Sequence, residues 1–165
     1  MKTLVLAAAL ALVLAACGFH PRSHTVLPTR LGPTKVVASD PYSSIAEDLA
    51  RQLERAGVPA ADAQGRGSVL KIVRERWDTR PLAVDQFARA REYVTRYRVD
   101  FALQGPDGKP MLPTQTIELS REYSFDANAS VGSPAEQEII QRELRREMEA
   151  AILRRIEYAL RARQP

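Results

Sequence analysis

Residues 93–126 read YVTRYRVDFALQGPDGKPMLPTQTIELSREYSFD, and the period of two in this stretch decides the fold. Successive side chains of a strand point to opposite faces. Tyr93, Thr95, Tyr97, Val99, Phe101 and Leu103 therefore share one face, and Val94, Arg96, Arg98, Asp100, Ala102 and Gln104 share the other. Gly105 to Pro110 is dense turn chemistry, so the chain should return antiparallel. Thr114 to Asp126 supplies the partner, with Ile117, Leu119, Tyr123 and Phe125 on the apolar side and Glu118, Ser120, Glu122 and Ser124 opposite. Arg121 breaks the alternation, because it falls among apolar positions where an unpaired guanidinium is costly to bury. If the hairpin pairs even positions, Arg96 and Arg98 lie across from Glu118 and Glu122. Two readings of that face follow: a solvated ion-pair ladder, or a surface for anionic phosphate, which guanidinium forks bind bidentately.

Working outward, Thr34 to Ser39 is a short β-branched run that reads as the first strand. Asp40-Pro41 then reads as a helix entry, aspartate as N-cap and proline at the first helical position. Ile45, Leu49 and Leu53 form its apolar stripe, and Gly57 closes it in the left-handed conformation. Ser68 to Trp77 is a second strand, although Val69 and Val73 blur its alternation. Asp78 to Glu92 follows neither period and reads as a loop or partly ordered excursion.

Ser133-Pro134-Ala135-Glu136 is a capping box that opens a helix running to about Arg161. Its apolar seam winds from Ile140, Leu144 and Met148 to Ile152, Ile156 and Leu160, so the helix either crosses a twisted sheet obliquely or offers a second apolar surface elsewhere. The order is strand, helix, three strands, helix. This predicts an α+β domain over 34–165, a four-stranded sheet with two helices packed on one face and the other face left for solvent or a partner.

Upstream, Lys2 and the thirteen apolar residues Leu4 to Ala16 form a leader. At about 1.5 Å per residue the run covers roughly 20 Å of a hydrocarbon core about 30 Å thick, too short to span. Positive start, short apolar run and small residues read as an export signal, 1–16. Cys17, the sole cysteine, follows at once, and Leu14-Ala15-Ala16-Cys17 resembles the bacterial lipobox. That resemblance implies lipidation of the Cys17 thiol, cleavage before it and acylation of the new amino terminus. Several acyl chains at about 0.8 kcal/mol per buried methylene far exceed the hold of a single chain. Residues 17–33 then read as a tether, and Gly18 in place of an aspartate favours the outer membrane.

Without Lys2 the chain has 23 basic residues against 20 acidic, spread evenly. Such a balance gives no argument for nucleic acid. His20 and His24 lack further ligands at close spacing, so no metal is expected. No GxSxG, HExxH, phosphate-cradling glycine loop or Cys/His cluster is present, so neither catalytic residues nor a cofactor are expected.

Taken together, Cys17-Gly18-Phe19-His20, Ser39-Asp40-Pro41, Leu53 with Gly57-Val58, Glu92-Tyr93, Phe125-Asp126 and Glu136-Gln137 resemble, in order and spacing, the LptE family of lipopolysaccharide-assembly lipoproteins. The resemblance implies the same helix-backed sheet and a non-enzymatic role. Its members plug the lumen of the outer-membrane β-barrel LptD, assist that barrel's assembly and bind lipopolysaccharide during delivery to the outer leaflet. The family's basic contact residues do not align here without gaps; Arg96, Arg98 and Arg121 are the candidates for contact with lipopolysaccharide or the partner. The competing expectation is an outer-membrane lipoprotein scaffold of another envelope complex.

Overall fold

A computed structural model describes residue 27 and residues 31–61, 67–84, 86–87, 90–124 and 133–162. Cys17, His20, His24, Phe125 and Asp126 lie outside the described residues, as does the side chain of Ser133 in the expected capping box. The elements are β1 (Thr34–Ala38), α1 (Ser44–Arg55), β2 (Ser68–Val84), β3 (Ala90–Gln104), β4 (Pro110–Ser124) and α2 (Ser133–Arg161). They form one four-stranded sheet in the order β1-β2-β3-β4. β1 runs parallel to β2 across the α1 crossover, and the other pairs are antiparallel. This is the expected β-α-β-β-β-α architecture.

Burial identifies the covered face. Thr95, Tyr97, Val99 and Phe101 are fully buried and Leu103 nearly so, whereas Arg96 and Arg98, on the alternate positions, are exposed. The helices supply the other half of the core: Ile45, Leu49 and Leu53 from α1, and Leu144, Met148, Ile152 and Ile156 from α2. The winding seam of α2 is thus buried to its end, Leu160 included. Trp77 stacks on Tyr97 with ring centroids 3.7 Å apart, and both join this core.

Several boundaries differ from the sequence expectation. α1 begins at Ser44, because the Asp40 carboxylate accepts a bond from the Tyr42 amide and closes a turn there instead of capping the helix. Ser43 takes the N-cap position, yet its hydroxyl donates across the fold to Glu75. The core also reaches into the expected tether, for Leu27 and Leu31 are buried in it.

The largest correction concerns 78–92. β2 does not stop at Trp77; it continues to Val84, and β3 begins at Ala90. The reason is a bulge. Ile72 faces Phe101 and Arg74 faces Asp100, so Val73 is an extra residue. A bulge exchanges the parity of everything beyond it. Leu70 and Ile72 point to the core before Val73, and Glu75 and Trp77 share that side after it. Further shifts at Leu82 and Arg91 scramble the pattern again.

β4 starts four residues early, at Pro110, for a similar reason: its register slips between Phe101 and Gln104. The turn before it is closed by the Gly105 amide donating to the Lys109 carbonyl at 2.8 Å.

Candidate functional site

The open face of the sheet carries the charge. In register across β2 and β3, Arg74 faces Asp100, Arg76 faces Arg98, Asp78 faces Arg96 and Arg80 faces Val94. From β4, Glu118 faces Arg98, Ser120 faces Arg96 and Glu122 faces Val94. The expected pairing of Arg98 with Glu118 is present in register; that of Arg96 with Glu122 is displaced by one pair.

A depression of about 260 Å³ lies on this face, lined by Arg76, Arg80, Arg96 and Arg98 against Asp78 and Glu118, with Trp77 behind. Arginine outnumbers carboxylate, and the pairing is incomplete. Asp78 is 2.7 Å from Arg80 and Asp100 is 3.5 Å from Arg98. Among the described residues, no carboxylate forms an ion pair with Arg76 or Arg96. Like charges directly opposite in a sheet destabilise it, so Arg76 against Arg98 is unfavourable without an anion. The Asp100 carboxyl is held below its usual range, first by the Thr116 hydroxyl donating to it at 2.6 Å and then by Arg98 and Arg74, with burial opposing.

Of the three arginines singled out in the sequence, the structure brings two together. Arg96 and Arg98 share the open face, whereas Arg121 points to the helix side, where its guanidinium meets Glu147 of α2 at 2.6 Å. That ion pair resolves the break in alternation. Arg76 and Arg80 were not singled out, because both lie beyond the Val73 bulge, in or next to the stretch that read as a loop.

The helix side holds polar groups that the sequence did not reveal. Tyr97 donates to Glu75 at 2.8 Å, and Ser43 donates to the other oxygen of Glu75 at the same distance. Burial, with Glu75 beside it, pushes the Tyr97 phenol far above its usual value. Between the helices, Glu149 is buried and accepts a bond from the Gln52 side chain. Burial raises its carboxyl pKa, and neighbouring Asp48 raises it further, against Arg145 and Arg55. No group of three or more metal-ligating side chains occurs among the described residues, and none of their helices is long and apolar enough to cross a membrane.

Comparison with known proteins places this arrangement. The family profile described as "LptE: Lipopolysaccharide-assembly" matches residues 33–156, most of the chain and all six elements in whole or part. The chain belongs to the LptE family. Among similar proteins, an LPS-assembly lipoprotein LptE of Photorhabdus laumondii is 29% identical over 146 residues, 88% of this chain and 79% of the relative. That of Pectobacterium atrosepticum is 26% identical over 158 residues, 93% and 83% of the two chains.

Two solved structures share the fold of this LptE-family chain. Rare lipoprotein B of Shewanella oneidensis superposes with a TM-score of 0.66 at 22% identity, covering 76% of this chain and 93% of that one. A lipoprotein B of Nitrosomonas europaea gives 0.71 at 22% identity, covering 85% and 90%.

Proposed function

We propose that this LptE-family protein is an outer-membrane lipoprotein, held at the periplasmic leaflet by acyl chains on Cys17 after removal of 1–16. Its domain occupies the lumen of the LptD β-barrel, assists that barrel's assembly and takes part in delivering lipopolysaccharide to the outer leaflet. Its role is one of binding and positioning, not catalysis. The observation that carries the reading is the open sheet face, where Arg76 is set against Arg98 with no helix above them. A uniformly paired ladder would suit any solvated domain. A depression with more guanidinium than carboxylate suits phosphate groups, and its charge suits a polar barrel lumen.

Two experiments test this. Tagged protein extracted from membranes should bring down a stoichiometric β-barrel; if none is present, the plug role fails and a scaffold in another envelope complex becomes the better reading. Arg96→Glu with Arg98→Glu should weaken lipopolysaccharide binding without lowering the melting temperature. Unchanged binding would leave only the ion-pair ladder.

A further inference from the structure

β2 is longer than the strand that flanks it. β1 pairs with residues 68–72 and then turns away, whereas β2 runs on to Val84. Among the described residues, no strand lies on β1's side of β2 beyond Ile72, and no backbone group outside β3 bonds to residues 74–80. The ladder fixes which groups are left open. Ser68 donates to the Pro33 carbonyl and Ile72 accepts from the Ser39 amide, so the residues of β2 with core-facing side chains point their backbone groups toward β1. Side-chain face and backbone direction alternate together along a strand. Past the Val73 bulge the helix-side residues are Glu75, Trp77 and Thr79, in register with Val99, Tyr97 and Thr95, so their amides and carbonyls point to the bare edge. Pro81 agrees, because it follows in the same frame and its missing amide costs no bond to β3.

A depression of about 280 Å³ lies at the end of β1's lane, lined by Ala38, Ser39 and Asp40 where β1 departs and by Val73, Arg74 and Glu75 of β2. A run of unpaired backbone groups is a template for another strand. Charge selects the occupant. Arg74 and Arg76 are exposed on the open face along this edge, and among the described residues neither forms an ion pair, while Asp78 is taken up by Arg80. On the helix side Glu75, with Asp40 in the depression, repels acid, and Trp77 offers apolar contact. β2 of a second copy would bring the same excess of arginine and be repelled. We propose that the β2 edge at 74–80 receives an extended segment of a partner protein, with acidic residues at alternate positions beside Arg74 and Arg76 and uncharged residues between them. Pro81 ends the ladder. The pairing uses the backbone edge, so it stands or falls separately from phosphate on Arg96 and Arg98.

The test titrates the full chain in detergent with a blocked peptide in which valine and glutamate alternate, and follows amide exchange by NMR. Without peptide the Trp77 and Thr79 amides should exchange fast, and those of Arg76 and Asp78, which point to β3, slowly. The peptide should slow Trp77 and Thr79 by about tenfold or more. N-methylation at every second peptide residue should abolish binding in one frame and spare it in the other, and lysine in place of glutamate should weaken binding about tenfold or more. Thr79→Pro removes an edge donor and should weaken binding, whereas Thr79→Val loses only the hydroxyl contact with Thr95 and should retain it. If Thr79→Pro melts early, the methylated peptides decide on the wild type. Slow exchange at Trp77 and Thr79 without peptide would show the edge already covered and overturn the proposal. Absence of binding, equal loss in both methylation frames, or equal affinity for the lysine peptide would overturn it too. Self-association that protects the same amides would make a second copy the occupant and overturn the assignment to a partner protein.

Discussion

Arg121 of β4 and Glu147 of α2 are joined by an ion pair of 2.6 Å that docks the long helix on the outer strand. Both side chains are close to half exposed, at 42% and 51%, so solvent screens the pair and its worth is modest. The Nε of Arg121 is buried without a hydrogen-bond partner, which adds to the cost of losing the carboxylate. Glu147→Lys is expected to lower stability by about 1 kcal/mol in urea unfolding. The exchanged pair Arg121→Glu with Glu147→Arg should recover part of that, with a coupling near 0.5 kcal/mol. Absence of any recovery would mean that the contact contributes nothing. Arg121→Met should leave lipopolysaccharide affinity intact, in contrast to substitutions at Arg98.

Tyr97 and Ser43 both donate to Glu75, so this carboxylate ties β3, β2 and the entrance of α1 together. Hydrogen bonds to a charged group contribute about 1.5–3 kcal/mol. Tyr97→Phe keeps the stack on Trp77 and removes one such bond, and a loss in that range is expected. A change under about 0.5 kcal/mol would show that water replaces the phenol at no cost.

Glu149 predicts an acid-side stability maximum for the joint between the helices. Its folded pKa is raised above the ordinary 4.5 by burial and by Asp48. The folded state therefore binds the proton more tightly than the unfolded chain does. Its stabilising contribution is fully present below about pH 4.5 and is lost as pH rises through the folded value. Glu149→Gln removes this titration while keeping an amide oxygen for Gln52. The stability difference between variant and wild type should grow in the variant's favour from about pH 4.5 upward. Parallel stability curves across that range would show that Glu149 does not titrate as described.

Gly67 lies against the backbone entering β1, and a β-carbon there would overlap the carbonyl oxygen of Pro33. That oxygen accepts the Ser68 amide at 2.7 Å and holds the start of β1 to β2. Gly67→Ala should cost about 1–3 kcal/mol through forced backbone displacement. Gly57→Ala, where φ is +80° but the space is open, should cost only the left-handed strain of about 1–2 kcal/mol. If Gly67→Ala proves neutral in thermal unfolding, the close approach is softer than the packing indicates.

Local periodicity carried most of the architecture. The alternation at 93–104 and 114–124, the stripe Ile45-Leu49-Leu53 and the long apolar seam of the last helix each follow from how often a side chain returns to one face. These signals sufficed for the element order, for the covered and open faces, and for two of the arginines on the open face. Neighbour-independent chemistry also placed Cys17 after its leader, as an expectation that waits on experiment.

What only the tertiary structure decided is where that periodicity breaks. The extra residue Val73 exchanges inside for outside, so β2 beyond it resembles a loop, and Arg76 and Arg80 stay unassigned until β3 is laid beside them. Arg121 has no visible partner within its own strand, because Glu147 comes from another element. Asp40 prefers a turn to a cap because its carboxylate finds the Tyr42 amide first, and Glu75, which binds Ser43, belongs to a strand far along the chain. A bulge's parity, a cross-element ion pair and a diverted cap all depend on neighbours distant in sequence, and residue order alone contains no distance between them.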